Sequence, residues 1–106
     1  MSIRSIGVIG AGAWGTALAQ TARLAGRDVV LWAREPEVCH EINAEHSNKV
    51  FLPGVTLDPG LTATDDLARI AGQDAILMVA PAQHVRAVGA ELARHLKSGT
   101  PVVICA

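Results

Sequence analysis

Three glycines in one short turn are the residues of this sequence whose spacing points most directly to chemistry. Residues 10–15 read GAGAWG, a G-x-G-x-x-G pattern. The pattern alone is weak, but here it follows a strand-like segment and begins a helix-like one, which is the setting that dinucleotide binding requires. Gly10 would permit the tight turn, Gly12 would let the backbone approach a pyrophosphate, and Gly15 would let the helix pack closely on the sheet.

The start of the helix after this turn is expected to hold phosphate groups. The first N–H groups of a helix, here from Ala13 onward, have no partner within the helix, and the helix dipole favours an anion at that end. The pattern therefore predicts a pyrophosphate site. The alternative is a glycine turn that only connects a strand to a helix. Trp14, inside the turn, either packs in the core or flanks the cofactor.

The end of the second predicted strand carries a cation where an NAD site usually has a carboxylate. Residues 31–34 read LWAR, and the guanidinium of Arg34 suits the 2′-phosphate of NADP. Glu35 and Glu37 leave open that Arg34 only pairs with a neighbour at the surface. NADP is therefore favoured as the cofactor, and NAD is the alternative.

No other side chains form a catalytic or metal-binding pattern. Four histidines lack the i, i+4 spacing and the carboxylate neighbours of a metal site, so we interpret them as surface or capping residues. They are His40, His46, His84 and His95. Cys39 and Cys105 lie far apart, which predicts buried reduced thiols. Asp65 and Asp66 fit the start of a helix. We assign no catalytic residue and no metal site.

Strands and helices alternate along the chain. Strands are predicted at 5–9, 28–32, 61–64, 74–80 and 102–106, and helices at 13–25, 36–46, 65–71 and 81–97. The third helix would have Thr64 or Asp65 as its N-cap. This order predicts an α/β fold of the Rossmann type, a doubly wound parallel sheet covered by helices on both faces. Because the chain ends inside a strand, we expect residues 1–106 to be an incomplete N-terminal dinucleotide-binding domain, truncated after about five strands.

The composition excludes several classes of protein. With 106 residues, of which 50% are hydrophobic, the chain can build one core. No apolar run approaches the roughly 18 residues that span a membrane, and the first residues lack a secretory signal, so we expect a cytoplasmic protein. The net charge is −1 and the basic residues are scattered, which argues against nucleic acid or a membrane surface as a partner.

Several segments together carry a family resemblance. They are GAGAWGTALA at 10–19, LWAR at 31–34, HSNKVFLPG at 46–54 and APAQ at 80–83. The chain resembles the N-terminal part of the bacterial-type NAD(P)-dependent glycerol-3-phosphate dehydrogenases, which have an H-x-N-x-x-Y/F-L-P-G loop and a V-P-S-Q turn. Departures occur at Ala80 and Ala82, where the family more often has Val and Ser, and at Phe51, which is often Tyr.

This resemblance implies that Trp14, Arg34 and Phe51 join the glycines as cofactor contacts and that Pro81 shapes the wall beside the nicotinamide. The family's catalytic lysine follows the fifth strand, beyond this sequence, so we expect the fragment itself to be inactive. The full protein would continue into a helical substrate domain. It would interconvert sn-glycerol 3-phosphate and dihydroxyacetone phosphate, a small-molecule substrate pair, by hydride transfer for phospholipid precursor supply. A homodimer is one assembly that it could form.

Two other functions stay open at this point. One is the cofactor domain of another dehydrogenase, of the ketopantoate reductase or hydroxyacid dehydrogenase type, which would share the glycine turn but not the loop at 46–54. The other is a dinucleotide-sensing module without enzymatic activity.

Overall fold

A computed structural model describes residues 3–105 and shows alternating strands and helices. The strands are β1 Ser5–Ile9, β2 Asp28–Trp32, β3 Thr62–Thr64, β4 Ala75–Met78 and β5 Val102–Ile104. The helices are α1 Ala13–Leu24, α2 Pro36–Glu45, α3 Leu67–Ala71 and α4 Ala82–Ala93. The predicted bounds of β1 and β2 are confirmed. Gly26, with φ +89°, follows the end of α1, where a left-handed glycine is favoured.

The described strands form one parallel sheet in the order β3-β2-β1-β4-β5. Because the chain moves outward from β1 in one direction and then in the other, right-handed crossovers place helices on both faces of the sheet. This arrangement confirms the predicted doubly wound fold. It also creates a switch point at the carboxyl ends of β1 and β4, where ligands bind in open α/β sheets.

Two apolar clusters cover the two faces of the sheet. One joins α1 and α2 to the loop before β3, through Ala19, Ile42 and Leu57. The other joins α3 and α4, through Ile70 and Leu92. Neighbouring strand residues alternate between the clusters, as the pleat of a strand requires. The core therefore holds the strand ends, and the turns that follow them, in fixed positions.

The predicted N-cap of α3 is wrong. Asp66 is the N-cap, and its Oδ1 accepts the N–H of Ala68 at 3.0 Å. Thr64 still belongs to β3, and its hydroxyl oxygen accepts the N–H of Asp66 at 3.1 Å. The helix starts two residues later than predicted because Thr64 is held in the sheet opposite Trp32, which leaves Asp66 to cap the N–H of the second helical residue, Ala68.

The predicted bounds of α1, α2 and β3 were each one residue too wide, and those of β4, α4 and β5 differ by more. β4 begins after Asp74, because the Asp74 carboxylate accepts the N–H groups of Arg4 and Ser5 at 2.8 and 3.2 Å. Helix α4 ends at Ala93, although Leu96 still packs on the core. β5 is shorter than predicted, and position 106 lies outside the described residues.

The two cysteines are half-buried and free, so the prediction of fully buried thiols was too strong. Burial raises the pKa of the Cys39 thiol, whose Sγ donates to the Ala33 carbonyl oxygen at 3.6 Å. Within residues 3–105, no helix combines the length and the apolar character that crossing a bilayer requires.

Candidate functional site

The turn between β1 and α1 lies at the carboxyl end of the central strand. Gly10 has φ +114°, a conformation that residues with a side chain rarely adopt. Its N–H donates to the Trp32 carbonyl oxygen at 3.1 Å, which holds the turn against the end of β2. A Cβ at this position would meet the backbone of Val79 at 3.0 Å. Gly10 therefore makes a tight turn in close contact with the end of β4.

The other two glycines of the turn face opposite surroundings. A Cβ added to Gly15 would collide with the carbonyl group of Gly10, so this part of α1 lies directly on the turn. A Cβ added to Gly12 would meet nothing within 4 Å. Gly15 thus allows α1 to pack closely against the turn. At Gly12 the missing side chain instead leaves free space at the surface of the turn.

The first turn of α1 offers N–H groups to this space. The first bond of the helix runs from the Thr16 N–H to the Gly12 carbonyl oxygen at 3.0 Å, so the N–H groups of Trp14 and Gly15 precede it. Gly12 is the N-cap and supplies no side chain, and the first turn contains no acidic residue. The positive end of the helix dipole is therefore open to an anion.

A cavity of about 350 Å³ lies where this turn meets the ends of β2 and β4. This volume falls in the range of small-molecule sites, about 300–1,000 Å³. All eight residues that the sequence analysis selected as cofactor contacts line it: Gly10, Gly12, Ala13, Trp14, Gly15, Arg34, Phe51 and Pro81. Trp14 is 57% exposed, so it flanks the cavity and does not pack in the core.

The end of β2 contributes groups of both charges to the cavity. Arg34 is exposed and, among residues 3–105, makes no ion pair, so the alternative of surface pairing with Glu35 or Glu37 is not observed. Glu35 is half-buried, forms the N-cap of α2 and lines the same cavity. The Arg34 guanidinium could donate charge-assisted hydrogen bonds to a phosphate, and the Glu35 carboxylate could accept a bond from a ribose hydroxyl.

Sequence reasoning missed other residues of the cavity wall. His84, interpreted as a surface or capping residue, is half-buried in the first turn of α4 and lines the cavity. The backbone N–H of His84 donates to the Pro81 carbonyl oxygen at 2.8 Å. Its position three residues after Pro81, in the turn after β4, is the signal that could have revealed it. Ala11, Trp32, Val79, Ala80 and Val88 also line the cavity.

His46 and Lys49 lie outside the cavity. His46 ends α2 in a left-handed conformation with φ +55°, and its N–H donates to the Ile42 carbonyl oxygen at 3.1 Å. Lys49 is exposed and pairs with Glu45 at 3.6 Å. Among residues 3–105, no three histidines, cysteines or carboxylates come together in a way that could hold a metal ion.

The loop that carries Phe51 is anchored by two carboxylates. Glu41 accepts the Ser47 hydroxyl at 2.7 Å and the Lys49 N–H at 2.9 Å, and the pKa of Glu41 is lowered by these bonds. Asp58 accepts the Gly60 N–H at 2.7 Å and the Arg23 Nε–H at 3.1 Å. Chiefly the Gly60 N–H, and then Arg23, lower the pKa of Asp58. Both ends of the loop are thus tied to helices.

Acid should weaken this anchor. Because the pKa of Asp58 is lower in the folded chain than in the unfolded chain, its stabilisation is present above the unfolded value, 3.8, and is lost as the pH falls through the folded value. We expect the free energy of unfolding of Asp58→Asn, measured with urea, to fall less between neutral and acid pH than that of the parent. Asp65→Asn, on an exposed residue outside the anchor, is the control. If the free energy of unfolding of Asp58→Asn fell with acid as much as that of the parent, Asp58 would not have this role.

Comparison with known proteins identifies the family. The family model for the N-terminus of NAD-dependent glycerol-3-phosphate dehydrogenase matches residues 5–106. A glycerol-3-phosphate dehydrogenase [NAD(P)+] of Paramagnetospirillum magneticum is 62% identical over 103 residues, which are 97% of this chain and 38% of that protein. The chain thus spans little more than a third of this relative's length, and 32% of that of a second relative, from Parvibaculum lavamentivorans.

Solved structures show the same relationship. A glycerol-3-phosphate dehydrogenase of Coxiella burnetii matches with a TM-score of 0.89 and 31% identity, over 96% of this chain and 32% of that one. The glycerol-3-phosphate dehydrogenase of Saccharomyces cerevisiae matches with a TM-score of 0.90 and 28% identity, over 98% of this chain and 33% of that one. The chain therefore belongs to the family of NAD-dependent glycerol-3-phosphate dehydrogenases and corresponds to their N-terminal part.

Proposed function

We propose that residues 1–106 form the dinucleotide-binding domain of a glycerol-3-phosphate dehydrogenase, with NADP as the preferred cofactor and NAD as the alternative. The observation that carries this proposal is the open space beside Gly12, in a cavity that the first residues of α1 also line. A backbone without a side chain, together with free N–H groups at a helix start, is the arrangement that holds a pyrophosphate.

The cavity residues would have four roles along a bound dinucleotide. The turn 12–15 would hold the pyrophosphate. Arg34 and Glu35, at the end of β2, would face the ribose of the adenosine half. Pro81 would shape the wall beside the nicotinamide, while Trp14 and Phe51 would cover the cofactor from the rim. The roles of the glycine turn and of Arg34 follow from their chemistry, and the roles of Pro81, Trp14 and Phe51 follow from the family resemblance. Their common place around one cavity supports these assignments.

In the whole protein, the reaction would be hydride transfer between sn-glycerol 3-phosphate and dihydroxyacetone phosphate. The nicotinamide would supply the hydride chemistry, and the residues of this chain would bind and orient it. The sequence has no tyrosine, and neither Lys49 nor Lys97 lines the cavity within the described residues. We therefore assign the proton transfer to a helical substrate domain or another part of a longer protein. A cytoplasmic location and a homodimer belong to the same proposal.

Arg34→Ala tests the cofactor assignment. Charge-assisted bonds to a covered 2′-phosphate contribute about 1.5–3 kcal/mol, whereas an exposed ion contact contributes at most about 1 kcal/mol. Because Arg34 is exposed before the cofactor covers it, we expect NADPH affinity to fall roughly tenfold more than NADH affinity. Calorimetric titration of both cofactors measures this difference.

The matched control is Arg94→Ala, which removes the same charge at the end of α4 from a residue that pairs with Glu91 at 3.3 Å. It should leave both affinities unchanged. Added salt should narrow the NADPH preference of the parent, since a partly exposed contact is screened. Equal losses of NADPH and NADH affinity in Arg34→Ala would overturn the NADP preference and leave dinucleotide binding intact.

A further inference from the structure

Two buried polar side chains meet beneath the glycine turn. Asn48 and Thr16 are both 0% exposed, although they come from different segments. The Asn48 Nδ2 donates to the Ala11 carbonyl oxygen and to the Thr16 Oγ1, both at 2.9 Å. The Thr16 hydroxyl donates to the same carbonyl oxygen at 3.2 Å. The Ala11 carbonyl oxygen thus receives bonds from both side chains.

The chemistry of these partners determines the orientation of the Asn48 carboxamide. A carbonyl oxygen can only accept, so the NH₂ group must face Ala11, and the amide oxygen must face the other way. There, Oδ1 accepts the Phe51 N–H at 3.4 Å. The backbone carbonyl oxygen of Asn48 accepts the Leu52 N–H at 2.7 Å and closes the turn 48–52. Asn48 therefore attaches the turn that carries Phe51 to the glycine turn.

The bond to Ala11 has a consequence for the cavity. The Ala11 carbonyl and the Gly12 N–H belong to one planar trans peptide, in which the two groups point in opposite directions. Holding the carbonyl toward buried Asn48 therefore directs the Gly12 N–H away from it. Gly12 and Phe51 both line the cavity. The Asn48 side chain thus helps to position both the Gly12 N–H and the Phe51 ring around the cavity.

We propose that Asn48 is a positioning residue for the dinucleotide: it orients the Gly12 N–H toward the pyrophosphate and places Phe51 at the cavity rim. This inference rests on the proposed dinucleotide site. In this proposal Asn48 makes no contact with the cofactor. It acts on Gly12 through the Ala11 carbonyl and on Phe51 through the turn 48–52.

Asn48→Asp is the direct test, because it keeps the size of the side chain and replaces the two N–H donors by an acceptor. A carboxylate oxygen would then face the Ala11 carbonyl oxygen, and the peptide should turn. We expect NADPH to bind about tenfold more weakly to the 106-residue chain, as judged by calorimetry well below the melting temperature. Thr16→Val, which removes the other bond to Ala11, should weaken binding in the same direction.

Asn43→Asp separates positioning from stability. Asn43 also bonds to backbone, since its Nδ2 donates to the Ala63 carbonyl oxygen at 3.0 Å and its Oδ1 accepts the Ala63 N–H at 2.8 Å. It does not line the cavity. We expect Asn43→Asp to lower the melting temperature and to leave NADPH affinity unchanged. If both asparagine variants lost affinity in proportion to stability, Asn48 would be a structural residue only.

A double-mutant cycle with Phe51→Ala tests the second half of the proposal. If Asn48 places Phe51, removing the ring should cost less affinity in Asn48→Asp than in the parent. Additive losses would overturn this half. If Asn48→Asp does not fold, the cycle of Thr16→Val with Phe51→Ala tests the same coupling, because the Thr16 Oγ1 accepts from the Asn48 Nδ2 and the Asn48 Oδ1 accepts the Phe51 N–H. A parent that binds NADPH and an Asn48→Asp variant that binds it equally well would overturn the positioning role alone. A parent without NADPH binding would overturn the dinucleotide site itself.

Discussion

Gly15→Ala is expected to lower the free energy of unfolding by more than about 3 kcal/mol, which is a large part of the stability of a small domain. The added Cβ would collide with the carbonyl group of Gly10, which is backbone that cannot rotate away. To make room, α1 must move off the turn, and the apolar cluster around Ala19 must open. Urea unfolding followed by circular dichroism measures the loss.

Gly89→Ala is the matched control for this result. Gly89 lies inside α4, and a Cβ there would meet nothing within 4 Å. Glycine inside a helix is less favourable than alanine by about 0.8–1.0 kcal/mol, so the same substitution should stabilise the fold at Gly89. Opposite signs at two helical glycines would isolate the close approach at Gly15. A neutral or stabilising Gly15→Ala would show that α1 does not pack on the turn as described.

Gly12→Val should abolish measurable NADPH binding, a loss of at least about a hundredfold, while the chain stays folded. The φ of Gly12 is −68°, which valine can adopt, and no atom beyond the two adjacent residues lies within 4 Å of the new Cβ. The branched side chain would instead fill the space where the pyrophosphate approaches the backbone. Calorimetry gives the affinity, and thermal unfolding shows that the fold is retained.

Gly89→Val provides the control for Gly12→Val, because it adds the same side chain at a glycine that does not line the cavity. It should bind NADPH like the parent. If Gly12→Val also bound like the parent, the glycine turn would be only a connection between β1 and α1.

The fold could be predicted where local signals agree. β1 ends in a glycine turn, and β2 lies between Gly26 and Pro36, so apolar runs and turn residues mark the same bounds. The start of α3 was harder to predict, because three successive residues, Thr64 to Asp66, are all good caps. Which of them caps the helix depends on the pairing of β3 with β2, which is a tertiary contact.

The candidate site could be predicted only in part for a similar reason. The glycine turn is local and carries its own pattern, and Arg34 follows it at a recognisable distance. Phe51 and Pro81 were selected through the family resemblance. His84 and Trp32 reach the cavity only because β2 and β4 both flank β1 in the sheet. The role of Asn48 required its bonds to be seen, since the sequence shows an asparagine at a motif position of the family loop but not what that side chain bonds to.

The binding of a dinucleotide in the cavity is tested most directly by titrating the chain with NADPH while recording tryptophan emission. The sequence has two tryptophans, Trp14 and Trp32, and both line the cavity. Reduced nicotinamide absorbs where tryptophan emits, so a bound cofactor should quench both residues. We predict saturable quenching that oxidised NADP reverses by competition, because it lacks the absorbance of the reduced nicotinamide. Gly12→Val should abolish this quenching. Emission that declines without saturation, or to the same extent in Gly12→Val, would contradict a dinucleotide site in this cavity.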